Sequence, residues 1–131
     1  MDTDNPVVQL CLKGTRLEFE KKPDEARRFY QRAWDIARDD FEACIAAHYL
    51  ARQQATLEDA LQWNQESLRR ADLVGDERVE AFYPSLYVSL ARAYELLGDR
   101  VHAEHFYGLA AASGLVHRGD GGSYPPIEIG S

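Results

Sequence analysis

One short pattern of small and aromatic residues recurs along this chain at fixed offsets, and it constrains the fold more than any other feature. Ala26, Tyr30 and Ala33 are matched in spacing by Ala103, Tyr107 and Ala110. Ala60, Asn64 and Ser67 form a degenerate middle copy. The step from Ala26 to Ala60 sets the period, and the step from Ala60 to Ala103 is that period lengthened by nine. A second set aligns upstream of each: Gly14 with Leu17, His48 with Ala51, and Ala91 with Tyr94. Small residues at such spacing let two helices approach closely, and the aromatic fills the space between one pair and the next.

The surrounding residues read as helix. Ala, Leu, Glu, Arg and Gln recur, while runs of Val, Ile and Thr are nearly absent. Asn5-Pro6 is a helix start, and the first helix is expected to end near Lys21-Lys22. Pro23 opens a second helix whose stripe is Ala26, Phe29, Tyr30, Ala33, Trp34 and Ala37, closed by Asp39-Asp40. A third runs through Cys44, Ala47, His48 and Ala51 to about Gln54, and Thr56 caps a fourth, with Asp59 three residues on. Gly75-Asp76 breaks the pattern. Pro84 then either kinks or restarts the next helix, which continues to Leu97. Gly98 is a left-handed stop and Asp99 caps a sixth helix that runs to about Ser113 and ends at Gly114. The chain is therefore expected to be all-α, with six main helices in residues 1–117. The nine extra residues are placed at 75–83. Residues 118–131 have the composition of turns and extended chain and form a tail with an apolar patch at Tyr124, Ile127 and Ile129.

Two antiparallel helices in each period of about 34 residues resemble the tetratricopeptide repeat. The resemblance covers about residues 7–117, as repeats at about 7–40, 41–74 and 84–117. The third copy fits best, with Tyr87, Leu90, Ala91, Tyr94, Gly98, Asp99, Ala103, Tyr107 and Ala110. The first has Leu10 for the leading aromatic and Lys13 at a usually apolar site. The second has His48 where a small residue is usual and Asn64 for the aromatic, and no copy has the terminal proline. The resemblance implies a right-handed solenoid of three helical hairpins followed by the extended tail. It implies a protein-protein interaction module, an adaptor or regulatory protein that takes a peptide or helical segment in a concave groove.

By repeat position that groove is lined by Thr15, Glu18 and Phe19, then Tyr49, Arg52 and Gln53, then Ser89, Arg92 and Glu95. Arg52 and Arg92 could pair with partner carboxylates and Tyr49 could stack. The bland alternative for both arginines is a solvated ion pair with a neighbour on the same helix, such as Glu95 beside Arg92. The family's Lys/Asn/Lys/Arg clamp for C-terminal carboxylates is missing. Cys11, Thr15, Ala46, Ser85 and Ser89 stand there, so chaperone tails are not expected as partners.

Other function classes find little support. A net charge of −7, with arginines interleaved among acids, argues against nucleic acid as partner. No apolar run reaches the length of a membrane span and the first residues are acidic and polar, so a cytoplasmic location is expected. Cys11 and Cys44 lack metal spacing and are expected to be buried thiols. His102 and His105 share a helix face but lack a third ligand, so no metal is expected. Gly119 to Ser123 is glycine-rich without the strand and helix of a phosphate loop, so no cofactor is expected and no enzyme. The last helix carries Val101, Phe106, Leu109 and Leu115 with no seventh helix to cap it. Either the tail folds back over it or into the groove, or a homodimer forms through that helix or the tail. A self-associating structural protein is thus the main alternative, and a small-ligand binder or enzyme is the remaining one.

Overall fold

The computed structural model describes residues 3–115, and the tail at 116–131 lies outside the described residues, together with every expectation placed on it. The described residues form seven α-helices and no strand: α1 (Pro6–Phe19), α2 (Pro23–Ile36), α3 (Asp40–Leu50), α4 (Leu57–Val74), α5 (Glu77–Glu80), α6 (Tyr83–Leu96) and α7 (Arg100–Ala110). A 3₁₀ turn at Ala51–Gln53 extends α3, and a π turn at Ala111–Leu115 comes after α7. None of these helices is long and apolar enough to cross a membrane. Neighbours pair along the chain, α1 with α2, α3 with α4, and α6 with α7. α2 also packs on α3, α4 on α6, and α1 reaches α3.

The caps set the boundaries. Asn5 accepts hydrogen bonds from the amides of Val7 and Val8, at 2.8 and 3.2 Å, and Pro6 is the first helical residue of α1. α1 stops at Phe19 rather than near Lys21-Lys22. Lys21 takes a left-handed conformation (φ 60°), and the Lys22 and Lys21 amides bond back to the carbonyls of Leu17 and Glu18. The turn after α6 is built the same way. Gly98 is left-handed (φ 84°), and the Asp99 and Gly98 amides bond to Tyr94 and Glu95. Lys21 and Gly98 are separated by the same interval as Ala26 and Ala103.

α2 ends at Ile36, earlier than the expected Asp39-Asp40, because Asp39 is committed to α3, where it caps the Glu42 amide at 2.8 Å. Thr56 caps α4 through the Asp59 amide, and Gly75 ends α4 with φ 61°. Within the nine extra residues, Asp76 caps the short α5. Pro84 then restarts the chain as α6 and does not kink a continuous helix. The insertion is anchored: Val79 and Phe82 are buried, and Phe82 stacks on Phe41 with centroids 5.8 Å apart. α7 ends at Ala110, short of Ser113, whose hydroxyl bonds to the Leu109 carbonyl at 2.7 Å and draws the chain into the π turn.

The core runs between the pairs. Val8, Cys11, Ala26, Tyr30, Ala33, Cys44, Ile45, Leu50 and Leu86 are sealed from solvent. Gly14 allows α1 and α2 to meet, since a Cβ there would collide with Tyr30 Cε1 and stand 2.7 Å from Cδ1. Gly to Ala inside a helix ordinarily stabilises by about 1 kcal/mol. Gly14→Ala should instead lower the stability by about 1–3 kcal/mol, as overpacking does. Chemical denaturation checks this, and a more stable variant would show that the Tyr30 ring is not held against Gly14.

Candidate functional site

The nine candidate groove residues divide into groups with different roles. Glu18 gathers the first. Its carboxylate accepts hydrogen bonds from the Tyr30 hydroxyl, from Arg52 Nε and Nη2 at 3.2 and 3.0 Å, and from Gln53 Nε2 at 2.9 Å. Thr15 sits beside it, with its hydroxyl 3.0 Å from the Cys11 carbonyl and 3.4 Å from the Tyr30 hydroxyl. Burial pushes the Glu18 carboxyl up, but the hydrogen bonds from Arg52 and Tyr30, the Arg52 charge and the Gln53 hydrogen bond outweigh it and hold the group below its ordinary 4.5. With both oxygens engaged by fixed donors, Glu18 is not placed to take a proton from a substrate. Tyr49 is only 4% exposed and its ring lies 5.5 Å from that of Tyr30, so it packs inside and does not present a face to a partner.

Tyr30 belongs to this cluster although the sequence pattern marks it only as repeat packing. The available signal was its hydroxyl, since a buried tyrosine needs a hydrogen-bond partner where a phenylalanine does not. The same bond recurs in the third copy, where the Tyr107 hydroxyl donates to Glu95 Oε1 at 2.9 Å. Glu18, Arg52 and Glu95 therefore occupy one position in the three copies, with alternating sign. Arg52 is satisfied by an ion pair with Glu18, the preceding copy, and not by a residue of its own helix.

The remaining candidates are more open. Ser89 is half-buried and Arg92 exposed, with no ion pair for Arg92 among the described residues. Phe19 is 83% exposed. Its equivalent in the third copy is Leu96, which is 64% exposed and one helical turn beyond Arg92. The candidate set drawn from the sequence misses Leu96, although the offset that finds Glu95 also finds it. Gln53 stands at the same position in the middle copy. Large apolar side chains thus remain open at matching positions of the outer copies.

The other titratable features are internal. Cys11 and Cys44 are free thiols, pushed by burial to about 12 and about 11. His102 pairs with its own cap, Asp99, at 2.7 Å, and its ring stacks on Tyr94. No group of three His, Cys, Asp or Glu side chains among the described residues is placed to hold a metal ion. His48 is 2% exposed, edge-on to Tyr49. Burial, with the Arg52 charge, lowers its pKa from 6.5 to about 3. The chain matches no protein-family model, no curated protein and no solved structure.

Arg52→Ala should lower stability by about 1–3 kcal/mol by leaving a half-buried carboxylate short of donors, and an unchanged melting temperature would show that the pair is only superficial. For His48 the unfolded chain takes up a proton as pH falls through 6.5, while the folded chain resists until about 3. Its contribution is full above pH 6.5 and is lost as pH falls below it. Between pH 6.5 and 5 the slope should approach about 1.4 kcal/mol per pH unit. His48→Asn should flatten that segment in urea denaturation, and an unaltered slope would assign the proton elsewhere.

Proposed function

We propose that this chain is a protein-protein interaction module built from three tetratricopeptide-like repeats, working in the cytoplasm and without catalysis of its own. The observation that carries the reading is the equivalence of exposed Phe19 and Leu96, on the first helices of the outer copies, with Arg92 one turn before Leu96. Exposed apolar side chains beside an unshielded cation suit a peptide that brings apolar anchors and a carboxylate. Three further facts support it. The helices pair as hairpins, the small-residue positions Ala26, Ala33, Ser67, Ala103 and Ala110 are buried, and the first and third hairpins share one turn geometry. On this reading Thr15, Glu18, Tyr49 and Arg52 shape the groove wall, whereas Phe19, Gln53, Ser89, Arg92 and Leu96 meet the partner.

Affinity capture with the full chain as bait, read by mass spectrometry, tests this. Proteins retained by the wild type should be lost on Arg92→Glu and on Phe19→Ser, both at exposed positions, with melting temperatures unchanged. Retention of the same proteins by both variants would refute binding on this side. Self-association is the second reading. It is favoured by the open flank of α7, where Val101 is 77% and Tyr107 37% exposed.

A further inference from the structure

In the middle copy the flank of α4 that carries Trp63, Glu66 and Arg70 takes the preceding hairpin. Trp63 meets Trp34 of α2 edge-on, with ring centroids 4.9 Å apart. The Arg70 guanidinium lies 5.1 Å from the centroid of the same Trp34 ring and pairs with Asp40 at 3.1 Å. One period earlier the same positions are Phe29, Arg32 and Ile36 of α2. No helix precedes the first hairpin among the described residues to lie on them. Phe29 is half-buried, Arg32 is exposed and Ile36 is 43% exposed. Their spacing places them on one flank of α2 together with Glu25 and Arg28. Across the hairpin, Lys13 of α1 holds its ammonium 6.0 Å from the centroid of the Phe29 ring. The equivalents of Lys13 are Ala47 and Leu90, 0% and 1% exposed. A charge thus stands in the first copy where the others bury an apolar side chain.

The cations of this face are also unspent. Arg38, Arg52, Arg69, Arg70 and Arg78 each pair with an acid of the protein. Lys13, Arg28 and Arg32 have no ion pair among the described residues, in a chain whose net charge is −7. Glu25 is the acid on the flank itself. Asp24 and Asp35 lie further round α2, where Asp35 accepts a hydrogen bond from Gln31 at 3.0 Å, and Glu20 pairs with Lys22 at 3.5 Å.

We infer that this outer face of the first hairpin docks an acidic amphipathic helix of a partner protein, which brings an aromatic side chain to Phe29 and carboxylates to Lys13, Arg28 and Arg32. The helix follows from the middle copy, where α2 is the element that meets the equivalent flank. The aromatic follows from Trp34, and the carboxylates from the way Arg70 meets Asp40. Phe29 and Ile36 supply the apolar anchor, and the exposed cations around them select an acidic partner over a basic one. This inference rests on the repeat equivalence and not on peptide binding at Phe19 and Leu96, since Phe19 projects about 120° around α1 from Lys13.

The test is a titration of the isotope-labelled full chain with two alanine-based helical peptides of about 18 residues, followed by NMR. One carries a tryptophan flanked by glutamates on one face, and the other has glutamines in place of the glutamates. Backbone amide signals of Lys13, Phe29, Arg32 and Ile36 should shift saturably with the glutamate peptide. Affinity should fall at least about tenfold for the glutamine peptide and for the Lys13→Glu/Arg32→Glu variant, as reversal of rim charges requires. Both substituted side chains are exposed, and Arg28→Glu repeats the measurement should the double variant fold poorly. Equal affinity for the two peptides, shifts centred on Arg92 and Leu96, or no saturable shift would each overturn the inference. Phosphatidylserine vesicles that bind the wild type but not the variant, with neither peptide bound, would overturn it in favour of a lipid surface. None of these results depends on the capture experiment with Arg92→Glu and Phe19→Ser, so failure here and failure of the proposed function are separable.

Discussion

Enclosing α3 on every side is the constraint on which the rest of the structure depends. Every residue from Glu42 to Leu50 is buried, where a surface helix would bury one stripe. Ala43, Ala46 and Ala47 make this geometrically feasible, because α1, α2 and α4 can each come close to a helix with short side chains. The enclosure also traps two groups that water would otherwise solvate. Glu42 is 3% exposed and is answered by the Arg38 guanidinium and amide and by Asn5 Nδ2. The Arg38 hydrogen bonds, opposed by burial and aided by Asn5, bring its carboxyl down to about 2. One side chain thereby ties the start of α1, the α2–α3 link and the first turn of α3. His48 is handled in the opposite way, by staying neutral. Both devices fail toward acid, as do the lowered carboxyls of Glu18 on α1 and Glu66 on α4.

The departures of the middle copy from the repeat pattern become intelligible as one change in size. In the first copy a glycine on the first helix, Gly14, faces a tyrosine on the second, Tyr30, with no room for a single extra carbon. In the middle copy the large residue moves to the first helix as His48 and the second helix carries the smaller Asn64, both buried. The third returns to Ala91 and Tyr107. Volume across the pair is thus roughly kept while its distribution reverses, the kind of swap that close-packed interiors tolerate. The row Glu18, Arg52 and Glu95 shows the same economy in charge. An arginine in the middle meets the acid of the copy before it, and the tyrosines of the outer copies take up the remaining hydrogen-bonding capacity of their glutamates.

Helix type and the starts at Asn5, Thr56 and Asp99 were legible because they rest on local chemistry, each side chain capping its own helix, whereas Asp39 and Asp76, which read as a stop and a break, cap helices as well. The ends were less so. Lys21 occupies a left-handed turn position that glycine takes at Gly98, and only its hydrogen bonds to the end of α1 reveal it. The docking of the insertion was hidden for another reason. Phe82 finds Phe41 and the Arg78 guanidinium covers the same ring at 5.0 Å, contacts between segments far apart in sequence. Of the candidate site, the offsets found Glu18, Arg52 and Glu95 together, since periodicity brings equivalent positions into line. They could not tell that Tyr49 would be sealed and Phe19 open, because burial depends on what the neighbouring helix places there.

That difference sharpens where recognition can occur. A side chain already bonded to its own protein must break those bonds to greet a partner, and for Arg52 this means abandoning a carboxylate that remains half-buried afterwards. Arg92 carries no such penalty among the described residues, and Phe19 and Leu96 gain on being covered. At this one position the middle copy carries Gln53 and the bonded Arg52, while the outer copies carry the open Phe19 and Leu96. A partner on this side would therefore need apolar anchors spaced to bridge the middle copy. That requirement favours an extended segment over a compact knob, because two interhelical steps of roughly 10 Å each exceed what one side chain can span.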